Sequence, residues 1–219
     1  MIAGVLAVLW CAALWYGADA IVYAARPVDR LRNAIVLGIA IPGVLGFAGI
    51  LYPATLWIAA ATLVALRLRR RRPSIAHDFG LYATLALLAL VLWAPLARPP
   101  TDGDSLLYHV PNALAWVQDH TLWTSRAPYW YYPGGSELLA AGFIGAAGRF
   151  TVSIAGAAAL MLITARLYER ARSAEATPFA AGSLALAFAF MPLAAFQGGS
   201  LQNDLLLAAF FVEALVAAD

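Results

Sequence analysis

Long apolar runs separated by short links that carry most of the arginines dominate the chain. They fall at 2–23, 33–51, 54–68, 79–96, 150–167, 179–196 and from 204 onward. A helix needs about 20 apolar residues to cross roughly 30 Å of hydrocarbon. The pattern therefore predicts an all-α, polytopic transmembrane bundle of about seven spans, the third being short. Ala18, Asp19 and Ala20 resemble a signal-peptide cleavage site, but no basic stretch precedes the first apolar run. That run is accordingly read as a retained span.

The links differ in charge. Arg26, Arg30 and Arg32 follow the first run, Arg67 and Arg69 to Arg72 the third, and Arg166, Arg170 and Arg172 the fifth. If every run crosses, these eleven arginines share one side, leaving Arg98, Arg126 and Arg149 on the other. The positive-inside rule then makes the eleven cytoplasmic and the amino terminus external. On the outer side lies one long segment, 97–148, rich in Trp and Tyr. Segments of that length are usually functional or disordered, and the aromatics argue against disorder. Two short helices along the interface are predicted in it. One is a helix from Pro111 to about 118, with Val110, Leu114 and Val117 on one face and Asn112 and Gln118 on the other. The other is a helix at 137–146 capped by Ser136 after the turn at 133–135, apolar but too short to span, and so either a dipping helix or the start of the fifth span.

Composition agrees with a bilayer as solvent. Of 219 residues, 63% are hydrophobic and 12% charged, about half the charged fraction of an ordinary soluble domain. The one cysteine, Cys11, excludes an intrachain disulfide and a cysteine metal cluster, and is expected to pack. The run Arg69 to Arg72 beside a span reads as a topology anchor, so nucleic acid is not an expected partner. P-loop, Rossmann, zinc-ligand and nucleophile-elbow patterns are all missing from the sequence.

Candidate chemistry gathers in the outer segment. Thr101, Asp102, Gly103, Asp104 and Ser105 precede Tyr108, His109 and Pro111. Asp102 or Asp104 suits a general base or metal ligand, or else a glycine turn whose aspartate caps the next helix. His109 suits phosphate binding or proton transfer, or a satisfied interfacial hydrogen bond. Trp116, Trp123, Trp130, Tyr129, Tyr131 and Tyr132 suit either sugar stacking or an interfacial aromatic belt. Arg126, against the charge bias, suits a phosphate clamp or an ion pair. Glu137 reads as a first-turn helix residue. Gln202, Asn203 and Asp204 open the last run, and span counting puts Asp204 on the face that carries Asp102, Asp104 and Glu137. Glu213 lies about 13 Å deeper, turned away from Asp204 and expected to face the bundle interior as a functional candidate.

The ordered motifs from Thr101 to Pro111, then Trp116, then Tyr132 to Glu137, and finally Gln202 to Leu205 resemble bacterial membrane glycosyltransferases of the C-type fold. That group includes protein O-mannosyltransferases and lipid A aminoarabinose transferases (families 39 and 83). The resemblance covers about residues 80–219, so 1–76 form a separate block of three helices before a glycosyltransferase-like module at 77–219. It implies a multi-pass protein of the bacterial cytoplasmic membrane, cut short at its carboxyl end relative to the family. It also implies transfer of a sugar from a polyprenyl-phosphate donor to a lipid, glycan or protein acceptor outside. The family's catalytic carboxylate maps onto Asp104 or Asp102, with Asp104 preferred, and the second acidic motif onto Asp204. Tyr108, His109, Arg126, Glu137 and Asn203 are then substrate-binding candidates. A divalent cation, Mg or Mn, would sit on Asp104 and Asp204 if one is used. The aspartate would deprotonate the acceptor hydroxyl, which displaces polyprenyl phosphate with inversion, while Arg126, His109 or the cation stabilises the leaving phosphate. The alternative is a non-catalytic membrane subunit, or a transporter or flippase component for polyprenyl-linked sugars.

Overall fold

A computed structural model describes residues 2–70, 77–96, 98–129, 134–148 and 152–218, apart from the side chains of residues 94 and 95. These residues form ten α-helices and one π-helical turn, with no strand among them. The helices are α1 (Ile2–Gly17), α2 (Pro27–Phe47), α3 (Pro53–Arg69), α4 (Phe79–Leu96), α5 (Val110–Asp119), α6 (Gly135–Ala147), α7 (Ile154–Ser173), α8 (Pro178–Ala189), α9 (Pro192–Gly198) and α10 (Asp204–Ala218). The π-helical turn is Ser105–His109, immediately before α5.

Proline marks many of the helix starts. Pro27, Pro53, Pro111, Pro178 and Pro192 occupy first-turn positions of α2, α3, α5, α8 and α9, where the missing N–H costs no intrahelical bond and φ is already helical. Thr177 completes the start of α8 by accepting from Ala180 N at 3.2 Å.

The expectation of about seven spans is not met. Among the described residues one helix, α2 with 21 residues, is long and apolar enough to cross a bilayer. A second passes only if α8 and α9 count together, and they are bent by 78°. Length is one reason: α1, α3 and α10 have 16, 17 and 15 residues, about 23–26 Å at the helical rise. Charge is the other, since α7 carries Arg166, Glu169, Arg170 and Arg172 in its second half. The apolar run 179–196 is broken because Pro192 starts a new helix inside it.

The interfacial placement of the outer helices is corrected as well. α6 is the centre of the molecule, packed against α1, α2, α3, α5 and α7, and nearly every residue from Ser136 to Ala147 is buried. Its glycines permit this. Gly142 sits so close to α2 that an added Cβ would lie 3.4 Å from Gly38 O and 3.3 Å from Pro42. Small residues let helices approach closely enough to gain dispersion along their whole length. In α5 the buried side includes Asn112 and Trp116, whereas Val110, Leu114 and Val117 are half-buried. Trp116 thus belongs to the core and not to an aromatic belt. Ser136 does not cap α6, whose N-cap is Gly134. Cys11, expected to pack, is exposed. A single hydrophobic core runs from Trp10 in α1 through Trp116 to Ala209 in α10.

One end of the bundle is an ion-pair cluster. Asp19, fully buried, pairs with Arg30 at 2.8 Å and Arg67 at 2.7 Å. Arg166 makes a two-pronged bond to Glu213 at 2.5 and 2.6 Å and reaches Asp29 at 2.8 Å and Glu169 at 2.7 Å. Arg32 also approaches Glu213, at 3.5 Å, and Arg26 pairs with Asp29 at 2.9 Å. Glu213 therefore faces the interior as expected, and its partners are arginines of the cluster. Beside them Tyr168 donates to Asp78 at 2.9 Å. Burial, reinforced by that bond, raises the Tyr168 phenol above its ordinary pKa.

Candidate functional site

The other candidate residues collect where the π turn, the start of α6 and the start of α10 meet. The π turn is closed by a bond from Val110 N to Ser105 O, and such turns recur at functional sites because they re-aim side chains along a helix. Here it carries Ser105, Tyr108 and His109. Ser105 and His109 point inward and are buried, while Leu106 and Leu107 are exposed.

Asp102 prepares this turn. Its Oδ1 accepts from Ser105 N at 2.8 Å and from Gln202 Nε2 at 3.3 Å. The second bond joins two acidic motifs a hundred positions apart. Ser105 strengthens the junction, its hydroxyl accepting from Leu201 N at 2.9 Å. Gln197 Nε2 reaches both Gln202 Oε1, at 3.4 Å, and Asp204 Oδ2, at 3.1 Å. Asp102 and Asp204 are thereby linked through two glutamines. Asp104 is exposed, two residues from Leu106, and makes no hydrogen bond or ion pair among the described residues.

A second bond system lies at the buried side. His109 Nδ1 is 2.6 Å from Glu137 Oε1, and the residues are 2% and 0% exposed. One proton is shared between a ring nitrogen and a carboxylate oxygen, which fixes the ring's orientation. Asn203 Nδ2 donates to the same Glu137 oxygen at 3.4 Å, and Asn203 Oδ1 accepts from Ser136 N at 3.1 Å. Ser136 Oγ donates to Gln202 O at 3.2 Å. The other carboxylate oxygen, Glu137 Oε2, is buried without a hydrogen-bond partner among the described residues. Gly134 lies against it, and a Cβ there would overlap that oxygen and crowd Asn203 Nδ2.

The aromatic candidates divide. Tyr108 stacks at a tilt on His109, with centroids 4.0 Å apart, and meets Tyr129 edge-on at 5.1 Å. Tyr129 N donates to Asn112 Oδ1 at 3.2 Å, tying the loop to α5. Trp123 is exposed and donates to Phe47 O at 3.1 Å. Trp130, Tyr131, Tyr132 and Arg149 lie outside the described residues. Arg126 is committed elsewhere: its Nε donates to Asp119 Oδ2 at 2.8 Å and a second nitrogen pairs with the other Asp119 oxygen. The ion-pair alternative for Arg126 is present in these distances.

Of the expected site residues, Asp102, His109, Glu137, Asn203 and Asp204 are joined by short chains of bonds, with Tyr108 stacked on His109. The direct pairing of His109 with Glu137 and the bridging role of Gln202 were not anticipated. Neither is signalled by spacing, since each joins segments far apart in the sequence. No group of three or more His, Cys, Asp or Glu side chains suited to a metal ion occurs among the described residues. Comparison with family models, with curated proteins and with solved structures gives no match.

Proposed function

We propose that the chain is the donor-side part of a membrane glycosyltransferase that moves a sugar from a polyprenyl-phosphate carrier to an acceptor hydroxyl. The observation that carries the reading is the bond from Gln202 Nε2 to Asp102 Oδ1. It draws together the two acidic motifs on which the family resemblance rests. Large exposed apolar side chains, among them Phe79, Phe179, Leu107 and Leu207, support contact with lipid, because soluble monomers rarely leave so many uncovered. Leu106 and Leu107 beside Asp104 offer an apolar face for an isoprenoid chain next to a carboxylate.

In this mechanism Asp104, with no partner among the described residues, takes the acceptor proton as the acceptor oxygen bonds to the anomeric carbon. The bond from that carbon to the phosphate oxygen breaks, with inversion, and its electron pair leaves on polyprenyl phosphate. Asp102 acts as an organiser, holding Ser105 N and the Gln202 side chain so that Asp104 is presented. The test is sugar release or transfer by protein reconstituted in liposomes, using polyprenyl phosphate carrying radiolabelled mannose or aminoarabinose. Asp104→Asn is expected to lower turnover about 10²- to 10⁴-fold, the usual range for a positioned general base. Undiminished transfer in both Asp104→Asn and Asp102→Asn, each verified as inserted, refutes the carboxylate assignment. Wild-type protein inert toward every donor and acceptor offered refutes the enzyme reading.

A further inference from the structure

We infer that Glu137 is a positioning residue for His109, and that the pair delivers a proton-bearing ring nitrogen to the departing phosphate. The inference rests on the proposed transfer reaction for its chemistry and on geometry alone for the pairing. Glu137 is fully buried and cannot meet a substrate through bulk solvent. Its Oε1 is held by His109 Nδ1 at 2.6 Å and by Asn203 Nδ2 at 3.4 Å. Such a carboxylate holds the proton on Nδ1, fixes which way the ring faces and offsets the charge of a ring protonated on both nitrogens, leaving Nε2–H for the reaction.

Three further observations narrow the assignment. His109 stands on the π turn that begins one residue after Asp104, so acceptor-side base and phosphate-side donor share one short segment. Arg126, the other cation considered for the leaving group, pairs with Asp119. Glu137 Oε2 has no hydrogen-bond partner among the described residues and is backed by Gly134, where any side chain would push the carboxylate off the ring. The step balances with the ring as an imidazolium whose Nδ1–H is held by Glu137: the electron pair of the cleaved bond comes to rest on the phosphate oxygen, Nε2–H hydrogen-bonds to that oxygen without giving up its proton, and the acceptor's own proton stays on Asp104.

The experiment combines kinetics with nitrogen NMR of protein labelled in histidine. In Glu137→Gln, turnover is expected to fall 10- to 100-fold with donor KM within about twofold, and Glu137→Asp to recover part of the loss. Because the two residues act as a unit, His109→Ala combined with Glu137→Gln should be no slower than His109→Ala alone. Gly134→Ala, which leaves both chemical groups intact, should reproduce the Glu137→Gln defect. Independently of any activity, the His109 signal should report a proton on Nδ1 in a strong hydrogen bond, lost in Glu137→Gln. An unchanged His109 signal in Glu137→Gln, or multiplicative losses in the double variant, overturns the inference. Failure of the wild type to transfer sugar removes the proposed reaction and, with it, the phosphate role, while the NMR result still decides whether Glu137 sets the ring.

Discussion

Removing Glu213 tests whether the ion-pair cluster is held by mutual neutralisation. Arg166 and Glu213 side chains are 3% and 7% exposed and meet through two bonds of 2.5 and 2.6 Å. Taking away one member of a buried pair usually costs about 3–5 kcal/mol, because the remaining charge stays desolvated. Here Asp29 and Glu169 still contact Arg166, at 2.8 and 2.7 Å. Arg26, Arg32 and Arg166 nevertheless face only two acids once Glu213 is gone. Glu213→Ala is therefore expected near the lower end, about 3 kcal/mol. For a chain of this length that is a fall of about 6–12 °C in Tm, read by tryptophan fluorescence during heating in detergent. The companion variant, Arg166→Met with Glu213→Leu, removes both charges and leaves Arg26 and Arg32 balanced by Asp29 and Glu169. It should lie within about 1 kcal/mol of wild type or above it, since apolar isosteres escape the desolvation cost. A shift below 1 °C for Glu213→Ala, or a double variant as unstable as the single one, refutes the reasoning.

Two further outcomes follow from close approach and from titration. A Cβ on Gly156 of α7 would overlap Gln197 O and approach Ser200 O at 2.6 Å, and backbone cannot rotate away, so Gly156→Ala should cost about 1–3 kcal/mol. Gly4→Ala, with nothing within 4 Å, should be neutral or slightly stabilising in the same thermal assay, and equal shifts for the two glycines would contradict the packing. The raised Tyr168 pKa means the folded chain holds the phenolic proton more tightly than the unfolded one. Its contribution is whole below about pH 10 and is lost as pH rises through the folded value. The stability advantage of wild type over Tyr168→Phe should be flat up to about pH 9.5 and shrink above 10, and an advantage that grows with alkali would rule this out.

Where helices lie was readable from the pattern, and what surrounds them was not. The run 79–96 coincides with α4 and the polar triplet at 202–204 with the start of α10, because apolar stretches and their polar edges are local properties. The same stretches misstated the number of spans. An apolar residue satisfies a protein core as well as a lipid tail, and the Ala- and Gly-rich stretch of α6 turned out to be buried on every side by other helices. Pro192 inside the run 179–196 was the one local sign of the break between α8 and α9.

The polar residues show the same division between local and long-range information. Asp102, Asp104 and Asp204 stand out in the sequence as acids at helix edges, but their partners come from other elements. Pairing is what separates the two ends of the molecule. At one end Asp19, Asp29, Glu169 and Glu213 are each met by arginine, which ties those carboxylates into ion pairs. At the other end Asp102, Asp204 and Glu137 are held by amides, a backbone N–H and a histidine, and Asp104 by no described residue. Amides orient a carboxylate without bringing an opposite charge to it, so these groups are held in place without being locked into ion pairs. A sequence with fourteen arginines and twelve acids does not say which acids are neutralised. The fold does, and Asp102, Asp104, Glu137 and Asp204, on which the proposed chemistry depends, are among the acids that no arginine of the described residues meets.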